Sequence, residues 1–256
     1  MLKGVILDVD GVIVDSPHER AWGETLRELM EGEWKNIAER IGYTPEMYTT
    51  QVYDVYVSGK PRREGARALL EYFQVPNIRE EMIDRFCEAK QRRLITLIER
   101  GEFRAYDDAL RFILRIKERH LKLGVASSSK NANRMLKRIN LYRFCSERGL
   151  TYSFVKRDMM LIEIFDANVC GWDFRMGKPD PEIFLTASKL LHLQPYECVV
   201  VEDAPAGVIA SKRGGMKCIG VARKGQMKLL KKAGADWVVE TLDNIKIMDG
   251  RVVVEE

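Results

Sequence analysis

The sequence predicts an α/β protein, a parallel sheet wrapped by helices and interrupted by an all-helical insertion. Three observations predict it. Short apolar runs alternate with amphipathic stretches, the order in which strands and covering helices follow one another. The first of these runs ends in acids rather than in a hairpin turn. Between the first run and the second, residues 17 to 103 keep helical spacing almost throughout and contain no convincing strand. A chain of 256 residues with 46% hydrophobic side chains can bury roughly 70–75% of its unfolded surface.

Taken in order, the first strand is "GVILDV" (4–9). In the insertion, Leu69, Leu70, Tyr72 and Phe73, and then Ile83, Phe86 and Cys87, recur at helical intervals. At roughly 85 residues the insertion is far too long for a loop, so residues 1–15 and 104–256 form the α/β core and residues 16–103 a separate helical domain. The sheet resumes with "LKLGVAS" (121–127), "DANVCG" (166–171), "CVVVED" (198–203), "KCIGVA" (217–222) and "DWVVE" (236–240). The sequence has neither an internal repeat nor a low-complexity segment.

Composition narrows the function. The five cysteines are odd in number, scattered and free of C-x-x-C spacing, which argues against a disulfide framework or a zinc ribbon and for a reduced, cytoplasmic setting. No apolar segment approaches the ~20 residues of a membrane span, so no membrane is expected. A net charge of +4 is small, although "KPRR" (60–63) and "KQRR" (90–93) concentrate it locally. Without interleaved aromatic residues these clusters suit small acidic molecules rather than nucleic acid. A monomer or small homo-oligomer is expected.

The chemistry gathers at strand ends. Asp8 and Asp10 are two residues apart, so in an extended chain they face one site. "CVVVED" likewise ends in Glu202 and Asp203, and "APAG" follows it. Four carboxylates at the C-terminal ends of two strands repel one another unless a cation intervenes, and an oxygen-only set suits Mg²⁺. "VASSSKN" (125–131) ends a strand in hydroxyls before a helix, and "MGKPDPEIF" (176–184) supplies Lys178 ahead of another. A cation, a lysine, a hydroxyl and helix N-termini around a carboxylate make a phosphoryl-transfer site, in which the carboxylate can attack phosphorus directly.

D-x-D-G-x-x-x-D-S, the serine of "VASSS", the lysine of "GKPDP" and "VVVEDAPAG" resemble, in order and context, the four motifs of the haloacid dehalogenase superfamily. The resemblance covers nearly the whole chain. It implies a Rossmann-like core with a helical C1 cap, Asp8 as nucleophile, and Asp10 as general acid and base. Ser127 and Lys178 would bind the transferring phosphoryl group, and Asp8, Asp10, Glu202 and Asp203 would stand at or near Mg²⁺.

Within the superfamily the cap resembles the β-phosphoglucomutase branch, which moves a phosphoryl group between sugar hydroxyls; most other members are phosphatases. A mutase needs a second anion site, because its intermediate carries two phosphates. "SGKPRRE" (58–64) resembles the mutase cap loop, which implies substrate-binding roles for Gly59, Lys60 and Arg62, with Arg62 matching the phosphate-clamping arginine; an arginine fork grips phosphate in two bonds. His18 and Trp22 in "HERAW" (18–22) and Lys90 in "AKQRR" match further cap positions, although Trp22 suits the cap core. Ser129, Lys130 and Asn131, at the start of a helix, would complete the anion site.

Three features depart from that branch. His18 stands two residues closer to Asp15, "FRAYDDAL" (103–110) lacks the usual Pro-Gly turn, and residues 142–164 are inserted between a helix and a strand. The insertion is expected on the side away from the catalytic ends, as a packing or oligomer element. The loop 171–176 is expected to border the site, with Trp172, Phe174 and Arg175 shaping substrate choice. A hexose phosphate mutase, a sugar-phosphate phosphatase and a non-catalytic metabolite binder are therefore the three readings, in that order.

Overall fold

The computed structural model describes residues 1–58 and 60–255; Gly59, one of the expected cap-loop residues, lies outside them. The chain opens with β1 (Gly4–Leu7), four buried residues in a row, as a strand covered on both faces requires. β2 (Val14–Asp15) follows, then α1 (His18–Glu31), α2 (Lys35–Ile41), α3 (Thr50–Tyr56), α4 (Arg62–Tyr72) and α5 (Glu80–Glu99). β3 (Arg104–Ala105), α6 (Asp107–Glu118), β4 (Lys122–Val125), α7 (Ala132–Leu136), α8 (Leu141–Glu147) and β5 (Ala167–Asn168) come next. The chain ends through α9 (Glu182–Leu190), β6 (Cys198–Glu202), α10 (Pro205–Arg213), β7 (Lys217–Val221), α11 (Met227–Ala233), β8 (Trp237–Val239), β9 (Ile245–Met248) and β10 (Arg251–Val254). It forms two compact units, Met1–Asp15 with Arg104–Glu256, and Ser16–Phe103.

In the first unit the sheet order is β5-β4-β1-β6-β7-β8, and every neighbouring pair is parallel. The order reverses between β1 and β6, and in such sheets the ligand crevice opens there, beyond the C-terminal strand ends. Each apolar run singled out in the sequence contains one strand of this sheet. "DANVCG" yields only Ala167–Asn168 as regular strand, flanked by backbone bonds from the Asp166 N–H to the Leu123 carbonyl at 2.7 Å and from the Val169 N–H to the Val125 carbonyl at 3.0 Å, while the Asp166 carboxylate accepts the Leu123 N–H at 2.7 Å. α6 carries Asp107 and Asp108 in its first turn and Arg115 and Lys117 in its last, in the sense the helix dipole favours. It buries Phe112, Ile113, Leu114 and Ile116.

Two small ribbons escape the strand pattern. β2 pairs antiparallel with β3, Val14 opposite Ala105 and Asp15 opposite Arg104. β9 and β10 form a hairpin whose turn, Asp249 (φ 49°) and Gly250 (φ 67°), has both residues left-handed, as a two-residue turn between twisted strands requires.

The 142–164 insertion runs along the flank of α6. Its ends meet where the Leu161 N–H bonds the Ile139 carbonyl at 2.8 Å. Arg148 donates to Asp107 at 2.6 Å and lies 4.1 Å from the centre of the Phe144 ring, so the segment reaches the first turn of α6 instead of staying at the far end of the sheet. Tyr152 and Phe154 pack on each other, ring centres 5.3 Å apart.

The second unit, described by itself, is a helical bundle cored by Trp22, Leu26, Trp34, Leu69, Leu70, Ile83 and Phe86. Trp22 and Trp34 both meet Phe86 edge-on, at 5.2 and 6.2 Å, which makes Trp22 a core residue. Among the described residues no helix is long and apolar enough to cross a membrane, and all five cysteines are free and buried.

Candidate active site

Asp8 leaves β1 with its N–H on the Val201 carbonyl at 3.0 Å, so the register with β6 sets its height beside Glu202. The chain then turns sharply. Gly11 adopts φ +80°, and a Cβ there would collide with the Asp203 carboxylate. Its N–H closes the loop onto the Val14 carbonyl at 2.8 Å. On the β6 side a Cβ at Gly207 would strike the Glu202 carboxylate, so both glycines are required by close approach.

The predicted catalytic quartet comes together. Lys178 Nζ donates to Asp8 Oδ1 at 2.6 Å and to Glu202 Oε1, and rests 4.9 Å from the Phe184 ring centre. Ser127 Oγ donates to Asp10 Oδ2 at 3.4 Å and accepts the Ser129 N–H at 3.1 Å. Burial pushes the Asp8 carboxyl up to about 7 against the pull of Lys178, with Glu202 and Asp10 adding repulsion. Asp203 is driven well above the carboxylate range by burial, then by Glu202 and Asp8. Burial opposes the Lys178 charge, but the Asp8 and Glu202 carboxylates outweigh it and hold the ammonium protonated.

Those shifts describe more negative charge than Lys178 neutralises, and every donor is oxygen, which fits a hard divalent cation. Among the described residues no three His, Cys, Asp or Glu side chains already form a ligand group. Glu202 accounts for part of that: its Oε2 accepts the N–H groups of Asp203 and Ala204, both at 3.1 Å, while Oε1 takes Lys178.

The remaining expected residues divide. Ser129 Oγ accepts the Asn131 N–H at 3.3 Å, and Asn131 is buried at the cap of the five-residue α7. Lys130 is turned to the Gly171 carbonyl at 2.8 Å and the Asp173 carboxylate at 2.5 Å. Of the loop 171–176, Trp172 is exposed, Phe174 packs on the apolar layer beneath, and the Arg175 N–H is fixed by Glu182 at 3.0 Å. In the helical unit, His18 Nδ1 lies 2.9 Å from Lys90 Nζ; Lys90 is only 2% exposed and lies 5.2 Å from the Trp22 ring centre. Lys60 stands 6.0 Å from the Tyr56 ring. Arg63 pairs with Glu80 and Asp84, and Arg67 with Glu80. Arg62 has no ion-pair partner among the described residues.

Sequence reasoning missed Arg223. It donates to the Gly11 carbonyl at 3.1 Å, the Val12 carbonyl at 3.0 Å and Asp108 at 3.1 Å, and lies 3.8 Å from the Tyr106 ring centre. Its position just beyond the C-terminal end of a strand was the available signal.

The profile of the haloacid dehalogenase-like hydrolases matches residues 2–215. The β-phosphoglucomutase of Bacillus subtilis is 30% identical over 255 residues, spanning 96% of this chain and 92% of that protein. A phosphorylated carbohydrates phosphatase of Thermotoga maritima is 29% identical over 251 residues, 96% and 98% of the two chains. The crystal structure of an archaeal β-phosphoglucomutase from Pyrococcus sp. strain ST 04 superposes with a TM-score of 0.69 at 30% identity, covering 96% of each chain.

Proposed function

Because the chain belongs to the haloacid dehalogenase-like hydrolase family, whose related members are sugar-phosphate mutases and phosphatases, we propose that it transfers a phosphoryl group through Asp8 as a hexose phosphate mutase of the β-phosphoglucomutase kind. Asp8 attacks phosphorus, the bond to the sugar oxygen breaks, and Asp10 gives that oxygen a proton. In the return step Asp10 takes a proton from the accepting hydroxyl, and the phosphoryl group leaves Asp8 for it. Lys178 offsets the charge on Asp8 and the phosphoryl oxygens, and Ser127 orients both Asp10 and the Ser129 N–H. Mg²⁺ held among Asp8, Asp10, Glu202 and Asp203 would supply further neutralisation of the phosphoryl oxygens.

The observation that carries mutase over simple hydrolysis is Arg62. Its neighbours Arg63 and Arg67 are committed to acids, which leaves Arg62 as the fork for a second phosphate. The buried Lys90 beside His18 is a second cation suited to an anionic sugar. Hydrolysis of a sugar phosphate is the alternative, supported by the Thermotoga phosphatase. A phosphorus NMR time course on β-glucose 1-phosphate with a trace of the bisphosphate separates them: glucose 6-phosphate is the expected product, and orthophosphate alone would favour the phosphatase.

A further inference from the structure

We propose that Arg223 is a positioning residue for the general acid, holding the loop that follows Asp10 so that the carboxylic acid reaches the leaving oxygen. The inference rests on the phosphoryl-transfer reading above. Between Asp10 and β2 the chain reverses over Gly11 to Val14, closed internally by the Gly11 N–H on the Val14 carbonyl and the Ile13 N–H on the Val9 carbonyl. Those bonds leave the Gly11 and Val12 carbonyls to be satisfied from elsewhere. Arg223 takes both, one through Nε and one through Nη2, a fork that only a guanidinium offers.

Its third arm makes the grip rigid. Nη1 is fixed on Asp108 Oδ2, which also accepts the Thr241 hydroxyl at 2.9 Å and the Leu242 N–H at 2.7 Å. Tyr106 covers the flat face of the guanidinium, and the Arg223 side chain is only 11% exposed. Tyr106 in turn donates its N–H to the Ile13 carbonyl. Residues from β7's end, α6's first turn and the segment before β9 thus converge on the two peptides after Asp10, and the carboxylate that pairs with the guanidinium is Asp108 rather than one of the four site acids, among the described residues. It acts through the backbone.

The chemistry supplies a test that a purely structural role would not satisfy. Protonation by Asp10 matters most when the leaving oxygen is a poor leaving group, and little when it is an aryl oxide that departs unassisted. Arg223→Met and Arg223→Lys are compared with wild type on an alkyl phosphate and on p-nitrophenyl phosphate. The ratio of the two kcat/KM values is read, because it does not depend on the fraction of enzyme folded. The expected result is a fall in the alkyl-to-aryl ratio of about tenfold or more for Arg223→Met, with Arg223→Lys in between. Equal losses on both substrates, or none, would overturn the proposal while leaving the phosphoryl-transfer reading intact. Wild-type enzyme that turned over neither of these substrates and did not isomerise β-glucose 1-phosphate would remove that reading, and this proposal with it.

Discussion

A buried carboxyl held near 7 is a weak nucleophile until positive charge restores its ionised form, so Asp8 depends on its surroundings as much as on its identity. Asp8→Asn keeps the shape and removes the attacking oxygen. Because uncatalysed phosphomonoester hydrolysis requires accelerations of up to ~10²¹, its turnover should fall below detection in a steady-state assay while its melting transition survives. Asp203→Ala should raise the Mg²⁺ concentration needed for half-maximal rate, read from a metal titration. Arg62→Ala is expected to slow hexose phosphate isomerisation by about tenfold or more, the loss of a charge-assisted contact, with much less effect on p-nitrophenyl phosphate. Asp108 makes a different prediction. Burial would raise its pKa, but the bonds from Arg223, the Leu242 N–H and Thr241 lower it below the ordinary 3.8. Its contribution to stability is therefore complete above that ordinary value and is lost as pH falls through the lowered one. Asp108→Asn should melt lower at pH 7 and lose less on acidification from about pH 5 to pH 3, followed by calorimetry. The acids and Ser127 were legible because strand ends announce themselves by an apolar run, and Lys178 because the prolines of "GKPDP" mark the entry to a helix. Lys130 was not, since its choice of Asp173 and the Gly171 carbonyl depends on a loop whose path no local pattern encodes.

Strands buried on both faces wrote themselves into the chain as unbroken apolar runs, whereas the ribbon of β2 and β3 has two residues a side and no periodicity to detect. The hairpin of β9 and β10 did leave a signal, Asp-Gly between alternating isoleucines and a run of valines. The insertion along α6 was legible as an insertion but not in its placement, which the Arg148–Asp107 pair decides. Both of those side chains are more than a third exposed, so the pair contributes about 0.2–1 kcal/mol. Replacing residues 148–159 by a short Gly-Ser linker should lower the melting temperature by only a few degrees, at about 2–4 °C per kcal/mol, and leave kcat for an aryl phosphate within about twofold. A larger loss of kcat would assign the segment to the site.

At the scale of the whole molecule, the chain of the helical unit, Ser16–Phe103, interrupts that of the sheet unit, Met1–Asp15 with Arg104–Glu256. Its two connections to the sheet unit are neighbours: Asp15 and Arg104 face each other across β2 and β3. Joining residue 15 to residue 104 through a few glycines should therefore give a protein that still unfolds cooperatively by circular dichroism, yet has lost hexose phosphate isomerisation. A non-cooperative melt would show that the sheet unit needs its insertion. That adjacency has a consequence for descent. A segment whose two ends leave the host side by side can be lengthened, shuffled or replaced by recombination without shifting any strand register, so a lineage carrying this sheet can change what it recognises while inheriting its chemistry unaltered.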